Sequence, residues 1–166
     1  MIRDCRADDF DAMLAIINDG AAAYRGVIPE DRWHDPYMSA DELRGEIAAG
    51  VAFRGWHGDG AGLVGVMGAQ PVADVLLIRH AYVRTEWQRQ GIGSRLIGDL
   101  LARADRPVLV GTWAAASWAV AFYEKHGFAV TPNAEKNRLL QTYWSIPDRQ
   151  IETSVVLRYG GDRAPA

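Results

Sequence analysis

A glycine-bearing turn between an apolar strand and a helix is the feature of this sequence that most constrains its fold. The segment from Val83 to Leu96 contains Gly91 and Gly93 directly before an apolar helical pattern. Glycine lacks a Cβ, so it can adopt positive φ and let several backbone N–H groups point into one small volume. The first-turn N–H groups of the helix and the positive end of its dipole favour a pyrophosphate there. Three arginines add positive charge around the turn: Arg84, Arg89 and Arg95.

Two common phosphate-binding loops do not fit this turn. A dinucleotide-binding loop needs a third glycine or an alanine at the end of G-x-G-x-x-G, and here that position is Leu96. A Walker loop needs the triplet Gly-Lys-Ser/Thr, which the sequence lacks. On spacing alone, a purely structural turn is as good an interpretation as a phosphate site.

A second segment, Ser117 to Phe128, has the pattern of a short helix that ends at Gly127 and leads into a strand. With both segments in view, the sequence resembles the GCN5-related N-acetyltransferase (GNAT) family. There the glycine loop has the form Gln/Arg-x-x-Gly-x-Gly/Ala, which residues 88–93 match. The later helix commonly ends in a phrase such as Phe-Tyr-Glu-Lys-x-Gly-Phe, which residues 122–128 match. The two matches in this order make the resemblance specific.

The resemblance and the hydrophobic periodicity together imply an α/β fold. We expect a single GNAT-type domain over residues 1–160, followed by a flexible C-terminal tail at 161–166. Its sheet should be mixed, mostly antiparallel and six- or seven-stranded, with helices on both faces. Predicted helices cover residues 10–17, 40–48, 91–104 and 116–126, and predicted strands cover 2–6, 51–56, 63–70, 75–83, 108–112, a segment from 128 and 153–159. Asn18, Asp19 and Gly20 are expected to end the first helix, whereas residues 139–147 show no clear period.

The resemblance implies acetyl coenzyme A (acetyl-CoA) as the acyl donor. Its pyrophosphate is assigned to the glycine turn, whose residues are Gln88, Arg89, Gln90, Gly91, Ile92, Gly93 and Ser94. Its pantetheine arm is assigned to the backbone of the preceding strand end, residues Ala81, Tyr82 and Val83, whose N–H groups would polarise the thioester carbonyl. Many family members have an asparagine at the position of Ala116. Ser117 beside it is expected to cap the helix and take over the coenzyme contact.

Tyr123 falls on the tyrosine position of the family phrase, where a phenol donates a hydrogen bond or a proton to the coenzyme sulfur. The alternative interpretation is a half-buried aromatic side chain that packs beneath the helix. Cys5 lies outside both motifs and near the N-terminus, so we expect direct attack by the amine without a covalent enzyme intermediate.

The base that accepts the amine proton has two candidates. His80 lies in the strand before the turn, and histidine titrates near neutral pH. Glu86 lies at the mouth of the turn and would act through a water molecule. Strand alternation places His80 and Tyr82 on one face and Arg79 and Ala81 on the other, unless a bulge intervenes.

The amine acceptor is expected to meet a long loop between the first two helices, which is rich in large side chains. Candidate acceptor-binding residues are Tyr24, Trp33 and Tyr37 of this loop and Trp144 nearer the C-terminus. Their rings suit an apolar or amine-binding pocket, and Glu30, Asp31 and Asp35 would attract a cation. The same rings fit equally well in the core or in a homodimer interface.

Composition argues against several other functions. The net charge of −3 and the isoelectric point near 5.8 disfavour a nucleic-acid-binding surface. One cysteine allows no internal disulfide and no zinc site built on paired thiolates, and the histidine spacing predicts no metal site. No apolar run approaches the length of a membrane span, and the N-terminus lacks the apolar segment of a signal peptide. We therefore expect a cytoplasmic protein with no membrane partner.

The sequence thus predicts transfer of an acetyl group from acetyl-CoA to a primary amine of a small molecule. Two alternatives stay open. A protein or peptide amine could be the acceptor, which would favour an open groove over an aromatic pocket. A non-catalytic coenzyme A sensor or interaction module is the second, because the asparagine is missing and the base is unassigned.

Overall fold

The computed structural model describes residues 1–160 of the chain. Over this range it has seven β-strands and six α-helices, with short 3-10 turns between some of them. The strands are β1 (Ile2–Asp4), β2 (Ala52–Gly58), β3 (Gly62–Val72), β4 (Val75–Val83), β5 (Val108–Trp113), β6 (Phe128–Val130) and β7 (Ser154–Tyr159). The helices are α1 (Phe10–Ala21), α2 (Ala40–Ala48), α3 (Ile92–Arg103), α4 (Ser117–Lys125), α5 (Asn133–Tyr143) and α6 (Asp148–Glu152). The predicted tail at 161–166 lies outside the described residues.

The strands form one mixed, mostly antiparallel sheet in the order β1-β2-β3-β4-β5-β7-β6. The pairs β1–β2, β2–β3, β5–β7 and β6–β7 are antiparallel. This arrangement confirms the predicted α/β fold class, including the run of neighbouring strands β2, β3 and β4. The described part of the chain divides into two compact units: residues 1–70 with 78–103, and residues 71–77 with 104–160.

The first unit has its core where α1 and α2 meet strand side chains. Apolar residues recur along α1 at helical spacing, so one face of the helix is buried. The core cluster consists of Met13, Ile16, Ile17, Met38, Leu43, Val51, Phe53, Leu63 and Val66. Ile16, Ile17 and Leu43 are fully buried, and they fix the direction of both helices in this unit.

Helix α1 continues to Ala21, so the predicted end at residues 18–20 was wrong. Gly20 allows close packing against Tyr82. A Cβ on Gly20 would lie 2.7 Å from Cδ1 of Tyr82 in β4, a distance that carbon atoms do not tolerate. Gly20 therefore lets helix α1 approach strand β4 and does not end the helix.

Helix α2 begins as its sequence predicts. The Ser39 hydroxyl accepts a hydrogen bond from the Glu42 backbone N–H (3.1 Å), and the Glu42 carboxylate accepts one from the Ser39 N–H (2.7 Å). This reciprocal pair satisfies two N–H groups that a helix start leaves without partners. Gly50 follows the helix with φ of +102°, a value that ends it at little steric cost.

The second unit packs α5 and α6 against β5 and β7. Its core cluster contains Val75, Leu77, Leu109, Leu139, Leu140, Ile151 and Val156. Helix α5 was missed by the sequence prediction, which found no period in part of this segment. Lys136 explains the miss: it is only 6% exposed, and its Nζ donates to the Ile151 carbonyl (2.9 Å). A buried lysine interrupts the apolar pattern by which an amphipathic helix is recognised.

Two glycine substitutions in the first unit should change stability in opposite directions. A Cβ on Gly68 of β3 would lie 2.7 Å from the Arg79 carbonyl oxygen, so Gly68→Ala should lower the free energy of unfolding by about 2–3 kcal/mol. Gly98 in α3 has no atom within 4 Å of such a Cβ, so Gly98→Ala should raise it by about 0.5–1 kcal/mol. Urea denaturation measures both, and equal effects would contradict the packing at β3.

Candidate active site

The turn between β4 and α3 is held by two hydrogen bonds near its start. The Thr85 N–H donates to the Asp19 carboxylate of α1 at 2.6 Å, which fixes the start of a 3-10 turn over Thr85–Trp87. The Gln88 side-chain amide donates to the Val83 carbonyl at 3.2 Å. The chain therefore enters the predicted pyrophosphate turn along a defined path, and the Val83 carbonyl is hydrogen-bonded to a residue of that turn.

Within the turn, Arg89 and Gly91 have φ of +61° and +76°. Residues in this left-handed region let successive N–H groups converge into an anion-binding concavity. The Arg95 N–H donates to the Gly91 carbonyl (3.1 Å) as α3 begins, so the N–H groups of Ile92 and Gly93 have no acceptor within the helix. A Cβ on Gly91 would meet no atom within 4 Å, which leaves the space above the turn open.

The three arginines around the turn occupy different positions. The Arg95 guanidinium lies over the Trp56 ring at 5.0 Å from its centroid. Arg84 is half-buried, and its Nε is 3.4 Å from the Leu63 carbonyl oxygen. Arg89 is exposed and belongs to the turn itself. Convergent N–H groups, an open face and an arginine in the turn together fit a pyrophosphate.

Gly91→Ala should weaken binding of coenzyme A by about tenfold, because the new side chain disfavours the backbone conformation that directs the N–H groups. Gly60→Ala is the matched control. Gly60 has φ of +73° in the β2–β3 turn, and a Cβ there also meets nothing within 4 Å. Both variants should lose about 1 kcal/mol of stability. Calorimetric titration with coenzyme A should separate them, and equal affinities would argue against the turn as the pyrophosphate site.

His80 belongs to a part-buried cluster in the first unit. Its Nε2 lies 2.8 Å from Oε2 of Glu46 in α2. Arg79 donates from Nη2 to both oxygens of Glu46 at 2.9 Å, and its Nη1 donates to the Gln70 side-chain oxygen at 2.9 Å. Burial raises the pKa of Glu46, but the His80 hydrogen bond and the charges of His80 and Arg79 bring it below its usual range.

The predicted strand alternation fails at this cluster. His80 has φ of +52°, so β4 is irregular there, and the adjacent Arg79 and His80 contact the same carboxylate. The sequence prediction did not include Glu46. Its position three residues after the fully buried Leu43 was the available signal, because that spacing puts both on one helix face.

The second base candidate, Glu86, is exposed within the 3-10 turn. Its backbone carbonyl lies 3.5 Å from the Gln90 side-chain amide. Cys5 has a different character: burial raises the pKa of its thiol to about 11. A thiol with that pKa stays protonated at neutral pH and is a poor nucleophile.

Tyr123 lies on α4 in the second unit and is 6% exposed. Its ring contacts two other rings edge-on. The distance between ring centroids is 5.2 Å to Phe122 and 5.5 Å to Phe128. The predicted cap of α4 was wrong: the N-cap residue is Ala116, and no side-chain hydrogen bond caps the helix. Ser117 is the first helical residue and is exposed.

The aromatic loop, residues 22–38, brings three of the four predicted acceptor residues together. Tyr37 lies 5.7 Å from Tyr24 and 5.8 Å from Trp33 between ring centroids. Tyr24 also meets Tyr82 of β4 edge-on at 6.4 Å. The fourth residue, Trp144, belongs to the second unit, where it packs against the core cluster.

Asn18 of α1 holds the far end of the aromatic loop. Its side-chain oxygen accepts from the Met38 N–H (2.8 Å), and its amide donates to the Met38 carbonyl (2.9 Å). The same amide reaches the Leu14 carbonyl at 3.1 Å. The loop therefore leaves and rejoins the helical framework at fixed points.

Residues 17–141 match the family model of the acetyltransferase (GNAT) domain. The chain belongs to the GNAT acetyltransferase family. This GNAT protein is accordingly an acetyl-CoA-dependent N-acetyltransferase. No curated protein matches its sequence.

Solved structures support the GNAT fold. One is a PaiA N-acetyltransferase from Thermoplasma acidophilum in complex with coenzyme A, with a TM-score of 0.70 and 17% identity over 96% of this chain and 97% of that one. A GNAT acetyltransferase from Staphylococcus aureus Mu50 has a TM-score of 0.71 and 12% identity over the same shares, 96% and 97%. The ribosomal-protein-S18-alanine N-acetyltransferase of Escherichia coli has a TM-score of 0.66 and 18% identity over 99% and 96%. Between residues 1 and 160, no helix of the GNAT protein has the length and apolar character needed to span a bilayer.

Proposed function

We propose that this GNAT protein transfers the acetyl group of acetyl-CoA to a primary amine of a small molecule by direct attack. Strand β4 is the observation that carries the proposal. Along it follow His80 with its Glu46 partner, then Tyr82 in contact with the aromatic loop, then the open turn before α3. The base candidate His80 and the loop contact of Tyr82 thus lie on β4, and the anion turn follows this strand in the same unit.

In this proposal the turn Gln88–Ser94 holds the pyrophosphate of acetyl-CoA. Acetyl-CoA supplies an activated acyl group, a thioester whose carbonyl carbon an amine can attack. Backbone N–H groups of Ala81, Tyr82 and Val83 polarise that carbonyl. Ser117, exposed at the start of α4, contacts the coenzyme through its hydroxyl.

His80 is proposed as the base that removes the proton from the acceptor ammonium. Glu46 holds one ring nitrogen of His80, so the ring orientation is fixed and the imidazolium is stabilised once the proton arrives. Arg79 shares the Glu46 carboxylate and keeps it ionised. Glu86, exposed in its 3-10 turn, is the competing candidate and would act through water.

Tyr123 is proposed to donate a hydrogen bond or its phenolic proton to the departing sulfur. A free thiol has a pKa of about 8.5 and a phenol about 10, so stabilisation of the thiolate requires no complete proton transfer. The packing of its ring between Phe122 and Phe128 gives the hydroxyl a fixed direction.

The test is a calorimetric titration of the full chain with acetyl-CoA, followed by thiol release against a panel of amines, amino acids, polyamines and peptides. Binding with release that depends on a small amine is the expected result. Release with peptides alone would identify a protein acceptor, and binding without release by any amine would favour a coenzyme A sensor. Failure to bind would overturn the assignment of the turn.

The cytoplasmic location and a homodimer remain predictions from the sequence. Cell fractionation tests the first. Light scattering of the purified protein tests the second, and a monomer at micromolar concentration would remove the dimer prediction.

A further inference from the structure

A small pocket of about 140 Å³ opens within the aromatic loop of the first unit. Its lining residues are Asn18, Ala22, Arg25, Trp33, Asp35 and Tyr37. The Arg25 guanidinium lies 5.4 Å from the centroid of the Trp33 ring, and its Nη2 lies 3.5 Å from the Asp35 carboxylate. The pocket thus contains an aromatic face, a carboxylate and a cation that contacts both.

Another cation can replace Arg25 in these contacts at a small cost in free energy. Its side chain is 67% exposed and that of Asp35 is 76% exposed, and exposed ion pairs contribute between nothing and about 1 kcal/mol. An aromatic face and a carboxylate together attract any compact cation. The sequence suggested that Glu30, Asp31 and Asp35 attract a cation. Of these three residues, Asp35 lines the pocket.

We propose that the pocket is a cation-binding subsite, and that a second positive charge of the acceptor takes over the contacts that Arg25 makes with Trp33 and Asp35. The inference rests on the proposed acetyl transfer. The acceptor class is then an amine with a further cationic group, such as a diamine, a polyamine or a basic amino acid. This second group remains protonated, whereas the reacting amine must lose its proton near His80.

Ring contacts lead from the pocket to the proposed reaction position. Tyr37 of the pocket meets Tyr24, and Tyr24 meets Tyr82 of β4. A flexible aliphatic chain that follows these rings would place one end at the pocket and the other at β4. All of these residues belong to the first unit.

A second group of an arginine, an aromatic ring and a carboxylate lies outside the pocket in the same unit. Arg44 lies 5.0 Å from the centroid of the Phe10 ring and pairs with Asp41 at 2.9 Å. Asp41 is 97% exposed and precedes Arg44 by three positions on α2, so this pair lies along an exposed helix surface. Arg44→Gln therefore serves as a control that removes an arginine from a ring and a carboxylate outside the pocket.

The first experiment compares α,ω-diamines of four to eight carbons with the amino alcohols and amino acids of equal length. Binding is measured by titration calorimetry at pH 7 with no coenzyme added. We expect the best diamine to bind about tenfold more tightly than its amino alcohol. Equal affinities, or a preference for the amino acid, would overturn the inference.

Two substitutions sharpen the test. Arg25→Gln removes the internal competitor, so it should tighten diamine binding by about threefold, whereas weaker binding would show that Arg25 attracts an anionic acceptor. Asp35→Asn should weaken diamine binding by about fivefold. Asp41→Asn removes the same charge from an exposed position outside the pocket, and Arg44→Gln removes the matched arginine; neither should change diamine binding. A loss with Asp41→Asn equal to that with Asp35→Asn would reduce the effect to general surface charge and overturn the subsite.

Thiol release separates this inference from the proposed function. Acetyl transfer to simple amines with no preference for diamines would keep the function and remove the subsite. Diamine binding that responds to Arg25→Gln and Asp35→Asn as expected, without release, would keep the subsite and remove the catalytic proposal.

Discussion

Tyr123→Phe is expected to lower kcat by about 100-fold while the affinity for coenzyme A stays within about twofold of the parent protein. The phenylalanine ring can keep the edge-on contacts with Phe122 and Phe128, so only the hydroxyl is lost. Without that hydroxyl, the departing thiolate has no phenol to stabilise it. Steady-state thiol release gives kcat, and calorimetric titration gives the affinity.

The control for this substitution is Tyr159→Phe. Tyr159 of β7 also packs on Phe128, at 5.3 Å between ring centroids, and it is 45% exposed. Tyr159→Phe also removes a phenol from the second unit, and it should leave kcat unchanged. Parallel losses of turnover, coenzyme affinity and stability in Tyr123→Phe would indicate packing damage and would argue against a donor role.

His80→Asn is expected to lower kcat/KM by about 100-fold at neutral pH, because the imidazole that accepts the amine proton is lost. Asparagine is chosen because it tolerates the left-handed backbone that His80 adopts at φ of +52°. The substitution therefore removes the imidazole with little added backbone strain. Measurement of kcat/KM over a pH series tests this loss.

Two further variants assign the base. Glu86→Gln should leave the profile of the parent protein unchanged if His80 is the base, whereas a larger loss in Glu86→Gln than in His80→Asn would transfer the role to Glu86. Glu46→Gln keeps the side-chain shape but removes the charge that faces His80, so we expect a loss of about tenfold in kcat/KM. A fall in stability with an unchanged pH profile would make Glu46 only a structural partner.

Much of the fold follows from local sequence signals. The strand Val75–Val83 has its predicted bounds, and the capping box at Ser39 and Glu42 forms as its spacing indicates. Such features depend on residues near one another in the chain, so a single sequence specifies them. The match of residues 17–141 to the family model likewise confirms the resemblance that two short motifs carried.

The misses have long-range causes. Gly20 has the pattern of a helix end, but its partner is Tyr82, far away in sequence. Lys136 has the pattern of a surface residue until the Ile151 carbonyl is known to accept a hydrogen bond from it. The Glu46–His80 contact joins residues 34 positions apart, and the left-handed backbone at His80 breaks the alternation that would have located its side chain. Each case depends on a tertiary contact that periodicity does not contain.

The clamp between Asn18 and Met38 makes the aromatic loop a replaceable module. Asn18 holds Met38 through both backbone groups, and the capping box of α2 begins at the next residue, so both anchors lie outside residues 22–37. In the proposed acceptor site, substitutions within 22–37 would change which amine is accepted while the hydrogen bonds of Asn18 and of the α2 capping box stay in place. On the same proposal, grafting this loop from a homologue would change the acceptor and leave the sequence of the donor turn unaltered.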